Sequence, residues 1–191
     1  MFNEISKAAD SVGSALTAAA GAVESLGAKG RYTLVCTDAD GHVKWTHEED
    51  NLVVNVGLQD MNNKYFTGSS YSATWYLGLI TGPGVTTSAT DTMSSHGFTE
   101  FTGYSQSTRV TCSFGSATSA NPSVISNSSS PAAFSITSTG TIGGAFLTSN
   151  NTKSGTTGIL FSEKAFSSPG DRSVVNGDTL TVTYTFSLTA T

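Results

Sequence analysis

Residues 179–188, which read Thr-Leu-Thr-Val-Thr-Tyr-Thr-Phe-Ser-Leu, are the stretch that decides the fold. Large apolar side chains alternate with hydroxyl side chains, and a period of two is that of a β-strand with one buried face. The hydroxyl side chains are predicted to face water or a neighbouring subunit. The residues predicted to face a core are Leu180, Val182, Tyr184, Phe186 and Leu188.

Short apolar runs upstream of this strand predict more strands. A hairpin is predicted between residues 31–37 and 42–46, because Asp40-Gly41 between two apolar runs is a strong turn signal. The serine-rich and asparagine-rich residues 115–131 predict a long loop. The other predicted strands cover residues 51–54, 74–80, 106–114, 132–137, 141–148 and 158–161.

One short helix is predicted within this β-rich part. Asn55 is placed as its N-cap, and the apolar residues that follow recur at about 3.6 residues. Those residues are Leu58, Met61, Tyr65 and Phe66. The whole pattern predicts a mainly β protein, an antiparallel β-sandwich of jelly-roll or immunoglobulin-like type, with an N-terminal helical arm and one short helix.

The N-terminal residues 2–26 have a different period. Their apolar residues recur at alternating spacings of three and four over nearly four heptads, which predicts a helix with a narrow seam. Gly13 and Gly21 each weaken such a helix by about 1 kcal/mol relative to alanine, so the helix needs a partner surface. The predicted seam comprises Phe2, Ile5, Ala9, Val12, Leu16, Ala19, Val23 and Leu26.

The partner surface of this helix stays open between the chain's own domain and another subunit, and a frayed tail without a partner is the third alternative. The helix is predicted to end near Gly27, with residues 28–30 as a linker, because glycines commonly follow helix ends. This divides the chain into an arm, residues 1–29, and a sandwich domain, residues 30–191. The arm residues that we predict to contact another subunit are Phe2, Ile5, Val12, Leu16, Val23 and Leu26.

The composition narrows the classes of function. The chain has 191 residues, a net charge of −5, 12% charged residues, 29 serines and 29 threonines. A nucleic-acid-binding protein would need a basic stripe, so we expect no nucleic-acid partner. No apolar run is long enough to span a membrane, and the first residues do not resemble a secretory signal, so we expect no membrane partner.

Residues 101–162 contain no Asp or Glu, which favours a protein-contact surface, although a fold that keeps its charges elsewhere is the alternative.

The sequence contains only weak motifs for catalysis or metal binding. Asp38 and Asp40 resemble half of a calcium loop, but the following positions lack oxygen ligands, so a hairpin turn is favoured. His42 and His47 are five residues apart and would lie on opposite faces of a strand. No Gly-x-Ser-x-Gly motif is present. We therefore predict no catalytic, cofactor-binding or metal-binding residues and a protein that is not an enzyme.

Two further sets of residues are predicted to be structural. Cys36 and Cys112 are far apart in strand-like contexts, and whether they form a disulfide stays open. The acids Asp60 and Glu100 lie in apolar contexts, and Arg109 and Arg172 are their natural partners for structural ion pairs.

Several stretches together resemble a family of small β-sandwich proteins encoded among the structural genes of tailed bacteriophages. The resemblance covers roughly residues 31–188. The stretches that carry it are Gly41–Trp45, Asn51–Leu58, Trp75–Ile80, Gly97–Glu100 with Tyr104 and Arg109, Thr141–Leu147, and Asn176–Leu180 with Val182 and Tyr184. Proteins of this family decorate or cement the capsid, and related modules occur in necks and tail fibres.

The resemblance implies a structural virion protein without catalytic residues. We expect a decoration or cement protein on the outer capsid surface, made in the cytoplasm of a bacterial host. Its expected partners are the major capsid protein and further copies of itself, as a dimer or trimer. A neck or tail component, or a receptor-binding module of a tail fibre, is the alternative. The arm at residues 2–26 lies outside the resemblance, so its assignment to capsid contact rests on periodicity alone.

Overall fold

The computed structural model describes residues 26–68, 71 and 74–190. Two antiparallel sheets pack together, and one helix accompanies them, which confirms the predicted antiparallel β-sandwich. Of the N-terminal helix predicted over residues 2–26, all but the last residue lies outside the described residues.

The elements follow one another along the chain as twelve strands and one helix in the described part. Their bounds are β1 Leu26–Thr37, β2 Val43–Asp50, β3 Leu52–Val53, α1 Asn55–Phe66, β4 Trp75–Thr81, β5 Glu100–Phe101, β6 Val110–Cys112, β7 Ser123–Ser126, β8 Ala132–Ser135, β9 Gly140–Thr148, β10 Leu160–Ala165, β11 Arg172–Val174 and β12 Thr179–Ala190.

Sheet 1 is built around β12. It has the order β2-β1-β12, and both β7 and β8 pair with the far edge of β12. Sheet 2 has the order β3-β10-β9-β4, with β5 and β6 on the far edge of β4 and β11 beside the start of β9. Every strand pair in both sheets is antiparallel.

The first strand begins earlier than predicted. Residues 28–30, predicted as a linker, lie inside β1, and Leu26, predicted as the last seam residue of a helix, is the first residue of β1 and pairs with Ala190. The prediction of a helix end near Gly27 is therefore wrong. The reason is that the last residues of β12 offer backbone groups to pair with, and this pairing outweighs the local helical period.

The alternation predicted for residues 179–188 is present in β12. The side chains of Leu180, Val182 and Tyr184 are fully buried, and Phe186 is nearly so. Leu188 is only half-buried, because it lies close to the end of the sandwich. Tyr32 of β1 lies opposite Tyr184, and their ring centroids are 5.0 Å apart.

Sheet 2 carries a second layer of apolar side chains on the face turned away from sheet 1. Residues 82–99, which connect β4 to β5, contribute Met93 and Phe98 to a second apolar cluster. Phe146 belongs to this cluster and lies over Gly78, where a Cβ atom would come within 2.2 Å of the phenyl ring. The outer face of sheet 2 is thus occupied by the protein's own chain, whereas sheet 1 has no such cover in the described part.

Strand β7 was missed because it lies inside the predicted loop 115–131. Its two apolar residues, Val124 and Ile125, lie between serines and show little periodicity.

The buried Asn127 follows β7 and fills the interval between β7 and β8 along the edge of β12. Its side chain accepts the N–H of Tyr184 at 2.7 Å and donates to the carbonyl of Val182 at 3.2 Å, in place of a strand neighbour.

The predicted short helix is present as α1, but two details of the prediction are wrong. Val54 is the N-cap residue and makes no side-chain cap bond, so Asn55 is the first helical residue instead of the cap. Leu58, Tyr65 and Phe66, predicted as its apolar face, are exposed. No helix in the described ranges is long and apolar enough to cross a membrane.

Candidate functional site

Two surfaces of the sandwich are candidates for a function. The first is the outer face of sheet 1, which we call the threonine face. Because side chains alternate across a strand, one parity of β12 and its cross-strand partners share this face. The threonine face comprises Lys29, Arg31, Thr33, Val35 and Thr37 of β1, Thr179, Thr181, Thr183, Thr185, Ser187 and Thr189 of β12, Val124 and Ser126 of β7, and Ala133 and Ser135 of β8.

The middle of the threonine face carries no charge, but one end does, because Lys29 and Arg31 lie opposite Ser187 and Thr185. These charges are paired with acids of β2 on the same side of the sheet, since Arg31 contacts Asp50 at 2.8 Å and Glu48 at 3.3 Å. Within the face, hydroxyl groups bond to one another, as between Ser126 and Thr185 at 3.0 Å. A protein that covers the middle of the face, around Thr181 and Thr183, therefore has little charge to desolvate there.

The second candidate is a pocket at the end of the sandwich where β1 begins, which we call the end pocket. It has a volume of about 530 Å³ and lies between the two sheets, beside α1. Pockets for small ligands fall in the same range of volume. Its aromatic lining consists of Tyr71, Trp75, Phe114, Phe161, Tyr184 and Phe186.

The end pocket contains a cysteine thiol and a tyrosine hydroxyl among its polar groups. Burial raises the pKa of the Cys112 thiol to about 12, so that this cysteine is protonated at neutral pH and is a poor nucleophile. The Tyr184 hydroxyl accepts hydrogen bonds from Asn51 at 2.9 Å and from Ser162 at 3.3 Å. Burial also raises the pKa of Tyr184. Both groups are thus uncharged at neutral pH, and together with the aromatic lining they suit a ligand that binds by apolar contact.

Helix α1 forms one wall of the end pocket through Asp60, Met61 and Lys64. It packs closely on β10 because Gly57 has no side chain. A Cβ atom at Gly57 would lie 2.4 Å from the carbonyl oxygen of Phe161. The close contact between Gly57 and β10 thus fixes the position of α1, which forms this wall of the end pocket.

The Asp38–His42 segment forms the predicted hairpin turn. One oxygen of Asp38 accepts the N–H groups of Asp40 at 3.0 Å and of His42 at 2.8 Å, and the His42 hydrogen bond is the main cause that lowers the pKa of Asp38. Ligand atoms of Asp38, Asp40 and His42 lie within 4.8 Å of one another. The Asp38 carboxylate has a structural role in closing this turn.

The structure also places the cysteines and two of the histidines that were singled out from the sequence. Cys36 and Cys112 are free and buried, which settles the open question of a disulfide. His42 is exposed while His47 is buried and contacts Glu49 at 3.2 Å.

One predicted structural ion pair is present in full. Arg109 is buried and donates two hydrogen bonds to Glu100, at 3.0 and 2.8 Å. Its remaining hydrogen bonds go to the carbonyl groups of Asn150 and Gly155. Asp60 pairs with Lys64 at 3.9 Å, and Arg172 lies over the ring of Trp45.

The seam residues predicted as contacts are not tested by the described part of the chain. Phe2, Ile5, Val12, Leu16 and Val23 lie outside the described residues, and Leu26 is exposed at the start of β1. The end pocket was missed because its lining comes from seven separate segments of the chain, and no local signal in the sequence marks such a set. The threonine face, by contrast, was visible in the alternation of β12.

Comparison with protein-family models, with curated proteins and with solved structures finds no match to this chain.

Proposed function

We propose that this chain is a structural protein of a phage virion, a decoration or cement protein that binds the outer capsid surface and braces neighbouring major capsid subunits. The observation that carries the proposal is the threonine face. Sheet 2 is covered by residues 82–99, whereas the outer face of sheet 1 is broad, rich in hydroxyl groups, carries paired charges at one end, and is uncovered in the described part. The resemblance to phage β-sandwich proteins supplies the identity of the partner.

The chemistry of the face suits a contact that is repeated many times. Hydroxyl groups and β-branched carbons exclude water on contact without burying unpaired charge. A modest contact becomes strong when the protein holds more than one capsid subunit, because the second contact forms at a high effective concentration. A dimer or trimer of the protein at a lattice axis would provide this arrangement.

The proposal is tested first by the number of copies on the particle. Electron cryomicroscopy of virions carrying a tagged copy should show hundreds of copies spread over the shell. A dozen or fewer copies at one vertex would contradict the decoration role and favour the neck or tail alternative. Labelling confined to fibre tips would favour a receptor-binding module.

The role of the threonine face is tested by Thr183→Arg, which places a charge at the centre of the face beside Thr33. We expect the variant to fold and to lose its occupancy on purified particles that lack the wild-type protein. Thr99→Arg, at an exposed position outside the face, is the matched control and should bind normally. Full occupancy of Thr183→Arg would show that this face is not the contact.

A further inference from the structure

The end pocket leaves apolar surface uncovered in the described part of the chain. Its aromatic walls come from both sheets, and it opens at the end of the sandwich. Large exposed apolar patches on a soluble protein generally mark a place where something binds. The question is which partner covers this one.

Exposed apolar side chains gather around the same end. Among the described residues, seven large apolar side chains are exposed, and five of them lie in the first residue of β1, in α1 or on the pocket wall. They are Leu26, Leu58, Tyr65, Phe66 and Tyr71, of which Leu26, Tyr65, Phe66 and Tyr71 are each more than 65% exposed. The uncovered area therefore extends beyond the pocket itself.

The chain enters the described structure at this end. Gly30 of β1 lies opposite Phe186, which lines the pocket. Four residues of strand, about 13 Å, separate Gly30 from Leu26. The 25 residues that precede Leu26 are therefore tethered close to the mouth of the pocket.

The sequence of that segment matches the pocket. Residues 16–23, Leu-Thr-Ala-Ala-Ala-Gly-Ala-Val, contain no charge, and their small side chains allow close approach. The seam residues Leu16 and Val23 are seven positions apart, about 10 Å along a helix. This length is compatible with a pocket of about 530 Å³.

We propose that residues 2–25 of the same chain fill the end pocket, with Leu16, Ala19 and Val23 as the side chains that enter it. The short tether gives this segment a high effective concentration at the pocket, which favours it over a second copy or a free ligand. Of the two partner surfaces that the heptad pattern left open, the pocket favours the chain's own domain. This inference does not depend on a role in a virion.

The two cysteines allow a test in the full-length protein. Cys112 lines the end pocket, whereas Cys36 lies toward the far end of β1, and burial raises the pKa of each thiol to about 12. The rate at which N-ethylmaleimide modifies each cysteine is measured by mass spectrometry of peptides. A carboxylate is costly to bury in an apolar pocket, so Leu16→Asp should weaken the docking of the segment. We expect it to speed the modification of Cys112 about tenfold, which corresponds to about 1.4 kcal/mol, and to leave the rate at Cys36 unchanged.

Ser14→Asp is the matched control, because position 14 lies opposite the seam in the heptad and should leave both rates unchanged. Equal rates for Leu16→Asp and the wild type would overturn the proposal. A parallel rise at Cys36 would also overturn it, because the seam would then stabilise the whole sandwich instead of covering the pocket. Protection of Cys112 that is lost on dilution would assign the pocket to a second copy of the chain.

Discussion

Glu163 of β10 is a carboxyl group buried in the outer layer of sheet 2. Its Oε1 accepts the N–H of Ser88 at 3.0 Å, while its Oε2 has no partner among the described residues. Burial, followed by the neighbouring carboxyl of Asp91, raises the pKa of Glu163 to about 8. A proton on Glu163 removes its charge, so that the loop containing residues 88–91 is held to the sheet by a neutral carboxyl group at pH 7.

This carboxyl group predicts a fall in stability as the pH rises from about 4.5 to about 8. The folded state holds the proton up to a pKa of about 8, whereas the unfolded chain releases it near 4.5. The contribution is therefore complete below pH 4.5 and falls by about 1.4 kcal/mol per pH unit until pH 8. Urea unfolding between pH 5 and pH 9 should show a smaller fall in the free energy of unfolding for Glu163→Gln than for the wild type. Glu48→Gln, on the exposed side of β2, should follow the wild type.

The buried pair Arg109–Glu100 predicts a strong coupling between two residues. Glu100→Gln leaves a buried guanidinium without its counter-charge, and we expect it to cost about 3–5 kcal/mol in the free energy of unfolding. Asp50→Asn, which breaks the exposed pair with Arg31, should cost less than about 1 kcal/mol. In a double-mutant cycle, Glu100→Gln should cost much less in an Arg109→Met background. Additive effects would show that the two side chains act independently.

At the scale of elements, β12 explains why one strand organises the molecule. It pairs with β1 along its whole length and with β7 and β8 on its other edge, so each of its residues serves either the core or the threonine face. The core side chain of Phe186 packs edge-on against Phe161, with ring centroids 5.4 Å apart. Its neighbour Thr185 points to the threonine face and bonds to Ser126.

This division predicts unequal costs for two adjacent substitutions. Phe186→Ala should lower the free energy of unfolding by about 3–5 kcal/mol, because it removes a buried aromatic ring. Thr185→Ala should cost under about 1 kcal/mol in the isolated protein. Both values are measured by chemical denaturation. Similar losses for the two variants would mean that the register of β12 is wrong.

At the scale of the whole molecule, the start of β1 predicts where the chain tolerates truncation. A chain that begins at Leu26 keeps every residue of the β1–β12 ladder, whereas one that begins at Arg31 loses the partners of Phe186–Ala190. Both should give a β-type circular dichroism spectrum, and the shorter one should unfold at a lower temperature. A mostly helical spectrum from either chain would contradict the sandwich.

The sequence by itself determined the class of fold and one of the two candidate surfaces. Alternation in residues 179–188 specifies a strand with a buried side and a hydroxyl side, since side-chain direction along a strand depends only on the period of two. The Asp40-Gly41 turn was likewise visible, because its conformation is set by local residues. Both predictions rest on neighbouring residues alone, and both features are present in the structure.

Only the tertiary structure decided the features that depend on distant parts of the chain. Leu26 belongs to β1 because Ala190, 164 positions later, offers its backbone. Gly57 fits against Phe161, and Gly78 beneath Phe146, through approaches between separate elements. The end pocket exists because separate segments of both sheets and α1 meet there. Contacts of this kind leave no period in the sequence, since each residue's role is set by a partner that folding brings to it.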